Sequence, residues 1–107
     1  MSNMLNTLSV SLSEATGEDE VLCRGVLRMA IKNNVQHLRQ MTDPVKSSNE
    51  TMTYITKMTY QDWKAIIEGP ALSRMLGAIG LKETSILKTH LMQTLVEQQS
   101  LFTMGAR

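Results

Sequence analysis

The sequence predicts an all-α protein, a compact single-domain bundle of four or five helices. Apolar residues recur at helical three-to-four spacing near both ends of the chain, and capping or turn residues interrupt the pattern between them. The chain has 107 residues, of which 42% are hydrophobic, and this suits one domain with one core. Long helical patterns at the ends with shorter ones between them favour a bundle over a mixed fold.

The first segment, residues 1–15, carries no clear helical signal. Leu8, Val10 and Leu12 alternate with serines, and a period of two is typical of a short strand or of an arm that docks on a partner. Chain termini are also where ordered structure is weakest. We therefore expect residues 1–15 to be a flexible or docking arm of the single helical domain 1–107.

A long helix is predicted to follow the arm. Thr16 supplies a hydroxyl cap before a first turn that is rich in acidic residues, which suits the positive end of a helix. No residue then breaks the helix as far as Met41. Pro44 ends it, because the residue before a proline is pushed out of the α region.

Three shorter helices are predicted in the middle of the chain. A capping-box pattern at Ser47 would begin a helix over residues 51–58, although the threonines of that stretch also favour a strand. Thr59 begins a second N-cap pattern. Gly69 ends that helix and Pro70 begins the third, since glycine suits helix ends and proline suits first turns.

The last helix is predicted from Glu83 to Phe102, and its apolar row suggests a self-association surface. Nine methionines against only four aromatic residues indicate more apolar surface than one small bundle buries. We expect this row to pair with its own copy in an isologous homodimer. The row consists of Leu87, Leu91, Leu95 and Phe102.

Charge is distributed unevenly along the chain. Residues 21–42 carry four bases and no acid, namely Arg24, Arg28, Lys32 and Arg39. On one continuous helix these cations lie within an arc of about 80° and span roughly 22 Å. Such a stripe could follow the phosphates of a nucleic acid or contact an acidic protein surface, or it could be only the solvated face of an amphipathic helix.

The sequence argues against an enzyme. It contains no phosphate-loop, dinucleotide-binding or nucleophile-elbow motif, and outside the N-terminal segment its carboxylates are scattered singly. Cys23, His37 and His90 lack the spacing of metal ligands. We therefore predict no catalytic residue, no cofactor and no metal. No apolar run is long enough to span a bilayer, so no membrane partner is expected either.

Two functions are favoured by these observations, and a structural subunit of a larger assembly is compatible with them as well. The first is a non-enzymatic regulatory or adaptor protein that acts by protein–protein binding, with its own copy as the expected partner and no small-molecule substrate. The alternative is a nucleic-acid-binding accessory protein that places the four cations of residues 21–42 on phosphates. Either would be cytoplasmic, since the first twenty residues lack the basic and apolar regions of a secretion signal.

Overall fold

Seven α-helices account for all regular secondary structure in the computed structural model, which describes the backbone of residues 3–105 and the side chains of residues 3–100. The all-α prediction is confirmed for this part of the chain, whereas the predicted count of four or five helices is too low. The additional helices are an N-terminal one and a short one created by a break in the predicted long helix. In order they are α1 (Met4–Thr16), α2 (Glu20–Asn34), α3 (Gln36–Arg39), α4 (Pro44–Thr56), α5 (Tyr60–Glu68), α6 (Pro70–Ala78) and α7 (Thr84–Gly105).

Helix α1 replaces the arm that was expected over residues 1–15, of which the first two lie outside the described residues. Leu5, Leu8 and Leu12 recur at helical spacing and are buried where α1 packs against α2 and α7. The helix ends at Gly17, whose φ of 78° lies in the left-handed region that suits glycine. The alternating pattern was misleading because Leu8 and Leu12 are four residues apart, and this spacing fits both the period of a strand and that of a helix.

The predicted helix from Thr16 to Met41 is divided at Val35. This residue adopts an extended backbone, with φ −104° and ψ 117°, between α2 and α3. The two asparagines before it and Val35 itself are weak helix formers. The break lets Leu38 turn into the core, where it is completely buried.

Side-chain caps explain where α2 and α4 begin. Asp19, not Thr16, caps α2 by accepting a hydrogen bond from the backbone N–H of Val21 at 2.8 Å. Asp43 caps α4, so this helix begins at Pro44 and the predicted capping box at Ser47 is wrong. The helical prediction for residues 51–58 is confirmed as far as Thr56.

Two predicted boundaries are confirmed in the second half of the chain. Thr59 and Asp62 form a complete capping box at the start of α5, with each side chain bonded to the other residue's backbone N–H. Gly69 separates α5 from α6, and Pro70 is the first residue of α6. Both signals are local in sequence, which is why they could be predicted.

The apolar row of α7 lies in the core and not on the surface. Leu87 is 8% exposed, and Leu91 and Leu95 are completely buried in a cluster that also contains Trp63 of α5. Helices α1 and α5 cover this face. The three leucines therefore cannot supply the exposed dimer face that the sequence suggested, and the side chain of Phe102 lies outside the described residues.

One lysine of α7 forms hydrogen bonds with the junction of α5 and α6. Lys88 Nζ donates hydrogen bonds to the carbonyl oxygens of Glu68 and Gly69, at 2.9 and 3.1 Å, and to Ser73 Oγ at 3.1 Å. Both carbonyls lie at the end of α5, where backbone acceptors lack partners within the helix. The ammonium group thus serves as a C-terminal cap supplied by a different helix.

Candidate functional site

The four cations of the predicted stripe do not form one continuous row. Arg24, Arg28 and Lys32 lie on successive turns of α2 and span roughly 12 Å of its axis. Arg39 lies beyond the break at Val35, on α3. The arc calculated for one uninterrupted helix therefore applies to the first three only.

Arg24 is occupied within the fold. Its Nη2 forms an ion pair with Glu20 Oε1 at 3.0 Å, and its Nε donates to Asn6 Oδ1 of α1 at 3.2 Å. These contacts connect the first turn of α2 to α1. Arg24 is therefore a poor candidate for binding a partner's anion.

Arg28 carries a charge that no acidic side chain balances. The guanidinium is half-buried, and its Nη2 donates to Ser48 Oγ of α4 at 3.0 Å. Within the described part of the chain, neither Arg28 nor Lys32 has a carboxylate at ion-pair distance. A positive charge that is partly removed from water and left unpaired favours the approach of an anion.

Arg28 and Lys32 line a groove between α2 and α4, with a volume of about 420 Å³. Small-molecule pockets in proteins have volumes of about 300–1,000 Å³. Each helix contributes a face with residues at positions i, i+3, i+4 and i+7. These residues are Gly25, Arg28, Met29 and Lys32 on α2, and Pro44, Ser47, Ser48 and Thr51 on α4.

Three polar atoms of the groove residues are shielded from solvent without any hydrogen-bond partner among the described residues. They are Arg28 Nε, Ser47 Oγ and Thr51 Oγ1. The two hydroxyl-bearing residues are only 4% and 3% exposed. Leaving a buried polar group unpaired costs about 1–3 kcal/mol, so this cluster is expensive for the fold.

Several other helical hydroxyls among the described residues are satisfied within their own helix. They donate to the carbonyl oxygen four residues earlier, which is the common local bond for serine and threonine in a helix. Ser47 and Thr51 make no such bond, and their hydroxyls are enclosed without a partner among the described residues. The satisfied examples are Ser9, Thr16, Thr53, Thr89 and Thr94.

The surface around the groove is also apolar. Of the eight large hydrophobic side chains that are exposed among residues 3–100, five belong to α2 and α4. Met29, which is 43% exposed, and Met41 line the groove directly. Unbranched thioether side chains adapt to ligands of different shape. The site therefore combines two cations and free hydroxyls with adaptable apolar contacts.

Cys23 and His37 are weaker candidates for a functional site than the residues of the groove. Cys23 is completely buried, and burial raises the pKa of its thiol, which disfavours the reactive thiolate. His37 is exposed, contrary to the core position that its helical register suggests, and its ring lies 6.1 Å from that of Tyr54. In the described segments, no group of three metal-ligating side chains is assembled, and no helix is both long and apolar enough to span a bilayer.

Sequence reasoning identified the cations of the groove but missed its hydroxyl face. Ser47 was assigned to a helix cap, and a helix begun at Pro44 would have placed Ser47, Ser48 and Thr51 on one face. The pairing of α2 with α4 is a tertiary contact, for which the sequence carries no signal. The chain matches no protein-family model, no curated protein and no solved structure.

Proposed function

We propose that this chain is a non-enzymatic regulatory or adaptor protein that acts by binding another protein. The groove between α2 and α4 would hold an acidic segment of that partner. The observation that carries the proposal is the half-buried side chain of Arg28, which has no carboxylate at ion-pair distance among the described residues and lines the same groove as the unpaired hydroxyls of Ser47 and Thr51.

Charge complementarity supports an acidic partner. Lys32 adds a second positive charge to the groove, and no Asp or Glu is among the residues that line it. A carboxylate bound to arginine makes a charge-assisted hydrogen bond, which is roughly twice as strong as a neutral one. The low polarity around Met29 and Met41 strengthens such a contact by reducing screening.

The apolar surroundings favour a protein segment over a nucleic-acid backbone. Exposed side chains such as Leu22, Val45 and Met52 extend the apolar surface along α2 and α4, and amphipathic peptides bind to surfaces of this kind. A duplex would instead require several free cations in a row. Arg24 is engaged with Glu20, and Arg39 lies on another helix, so the four-cation stripe of the nucleic-acid alternative is interrupted.

A second copy of the chain is one possible source of the acidic segment. Residues 14–20 contain four acids and no base, and Glu14 and Asp19 are exposed. The homodimer therefore stays part of the proposal, with an acidic corner and a basic groove in place of the buried leucine row of α7. Sedimentation of the purified protein over a concentration series measures this self-association directly.

The first prediction tests the groove with a fluorescently labelled peptide of alternating glutamate and leucine. We expect the wild-type protein to bind it and the affinity to fall as salt screens the charges. The double substitution Arg28→Glu with Lys32→Glu should weaken binding at least about tenfold, because it places like charges against the peptide. Fluorescence anisotropy at two salt concentrations measures both effects.

The matched control is Arg74→Glu with Lys82→Glu, which changes the net charge equally at two exposed cations outside the groove. Its affinity should stay within about twofold of wild type. Equal losses in both double variants would contradict the proposal, as would no peptide binding at low salt. Tighter binding of labelled duplex DNA or RNA, lost only with the groove substitutions, would instead favour the nucleic-acid function.

A further inference from the structure

We infer that the groove recognises one carboxylate side chain of the partner and buries it against Arg28, Ser47 and Thr51. The inference rests on the proposed function and names the chemical group that anchors the acidic segment. The three unpaired polar atoms of these residues lie on facing helices at the same groove.

Arg28 presents the edge of its guanidinium that suits a carboxylate. Nε and Nη2 lie on the same edge of this planar group, and their hydrogens form a fork that can contact both carboxylate oxygens. Ser48 Oγ accepts one of the two Nη2 hydrogens, and Nε–H has no partner among the described residues. A carboxylate can therefore approach this edge while the contact with α4 is retained.

The hydroxyls of Ser47 and Thr51 complete the set of donors. A carboxylate offers about four acceptor positions and no donor. Arg28 and the two hydroxyls can fill these positions, so the cost of their burial is recovered when the ligand binds. A neutral amide could donate its NH₂ group to the hydroxyl oxygens, but it would leave the charge of Arg28 unbalanced and could not offer two acceptor oxygens to the guanidinium, so the site should discriminate glutamate from glutamine.

Gly25 supplies the space through which a side chain enters. It lies inside α2, where glycine costs about 1 kcal/mol relative to alanine. No packing contact requires it, because a Cβ atom added at this position would meet nothing within 4 Å. The absence of a side chain at Gly25 leaves this wall of the groove open. The flexible side chains of Met29 and Met41 can move to admit a ligand to the shielded donors.

The test uses three capped peptides of one sequence, Ser-Leu-X-Leu-Ser, in which X is glutamate, glutamine or phosphoserine. Titrations followed by NMR chemical shifts measure millimolar and tighter binding to the folded protein. We expect the glutamate peptide to bind at least about tenfold more tightly than the glutamine peptide. The shifts should be largest at the amides of residues 25–32 and 44–51.

Variants separate recognition from a purely structural role. Ser47→Ala and Thr51→Val should each weaken binding of the glutamate peptide several-fold, while the melting temperature stays equal or rises because an unpaired buried hydroxyl is removed. Thr53→Val is the matched control, since Thr53 lies on the same helix with an exposed side chain whose hydroxyl bonds to Asn49. Gly25→Leu should abolish binding without lowering the melting temperature, because leucine favours the helix and fills the groove.

Each outcome bears on the inference separately from the proposed function. Equal affinity for glutamate and glutamine peptides, tighter binding of the phosphoserine peptide, or unchanged affinity in both hydroxyl variants would overturn the carboxylate site. If the alternating peptide still depended on Arg28 and Lys32, the proposed function would survive that result. If no acidic peptide bound to the wild-type protein, both would fall.

Discussion

Burial has opposite consequences at different single residues of this protein. At Cys23 it suppresses chemistry: the thiol is completely enclosed and its pKa is raised above 9.0, mainly by burial and further by nearby acids that include Glu18. A hydrogen bond with Thr16 opposes part of this increase. At Ser47 and Thr51 burial instead leaves polar groups without partners. The first arrangement stabilises a neutral side chain, and the second retains binding capacity at the expense of stability.

The second prediction concerns the pH dependence that Cys23 contributes. Below pH 9 the thiol is protonated in both the folded and the unfolded chain, so its contribution to stability is fully present. Above pH 9 the unfolded thiol ionises first and the folded one still holds its proton, so the free energy of unfolding falls as pH rises. The slope from this group is at most about 1.4 kcal/mol per pH unit.

Urea unfolding of the wild type and of Cys23→Ala at pH 8, 9 and 10 measures this contribution. Lysine and tyrosine titrations are common to both proteins, so the difference between them isolates the thiol. We expect the wild type to lose more stability than the variant between pH 9 and 10. Parallel pH profiles would show that the folded thiol ionises as easily as an exposed one.

At the level of helices, the features that could be predicted from the sequence are those that depend only on neighbouring residues. The N-cap at Thr59 and the Gly69–Pro70 junction depend on local geometry alone, and both were predicted correctly. The break at Val35 was not predicted. Weak helix formers permit a break at this point, but the burial of Leu38 in the core is what favours it, and that burial is a tertiary contact. Helix α1 was missed for a similar reason, because its leucines are buried only through contacts with α2 and α7, which the sequence does not show.

The residues of the candidate site likewise fall into two groups, those that the sequence alone could identify and those that it could not. Arg28 and Lys32 were identified because cations on one helical face can be read from spacing. Ser47 and Thr51 were not, because serine and threonine are common in helices and usually satisfy themselves. Their importance comes from the absence of a local bond and from the position of α4 across α2. Both are properties of the folded chain.

The third prediction concerns the cap that Lys88 supplies from α7. Lys88→Met keeps the aliphatic contacts of the side chain but leaves the carbonyls of Glu68 and Gly69 and the hydroxyl of Ser73 without their donor. We expect a loss of about 1–2 kcal/mol in the free energy of unfolding, since bonds to a charged donor are stronger than neutral ones but are partly screened here. Urea denaturation measures the loss.

Lys82→Met is the control for Lys88, because Lys82 is exposed in the loop before the same helix. Its effect should stay within about 0.5 kcal/mol of zero. If both substitutions had equal effects, the cap would contribute nothing beyond removal of a surface charge.

Across the whole molecule, the core and the groove occupy different regions. The radius of gyration is 13.6 Å, close to the value of about 13 Å expected for a single compact domain of this length. Most buried apolar side chains come from α1, α2 and α5 to α7, whereas α4 contributes only Ile55 among the described residues. Helix α4 is therefore attached at the periphery, mainly to α2 and α3. Few of the core's apolar contacts therefore depend on α4.

The fourth prediction follows from this peripheral attachment. Elements with few buried apolar contacts open locally before the molecule unfolds. Amide hydrogens of residues 47–56 should therefore exchange faster than those of residues 87–95, when measured by hydrogen exchange with mass spectrometry. Binding of the glutamate peptide should slow exchange in α4 and leave α7 unchanged. Equal protection of the two helices in the free protein would show that α4 belongs to the same cooperative unit as the core.

Trp63 gives the protein an internal optical probe. It is the chain's single tryptophan, it is 3% exposed on α5, and it is not among the residues that line the groove. Its fluorescence should therefore respond when the core becomes hydrated and stay nearly constant when a peptide occupies the groove. The folding state of every variant can thus be read from the emission of the protein itself before a labelled peptide is added.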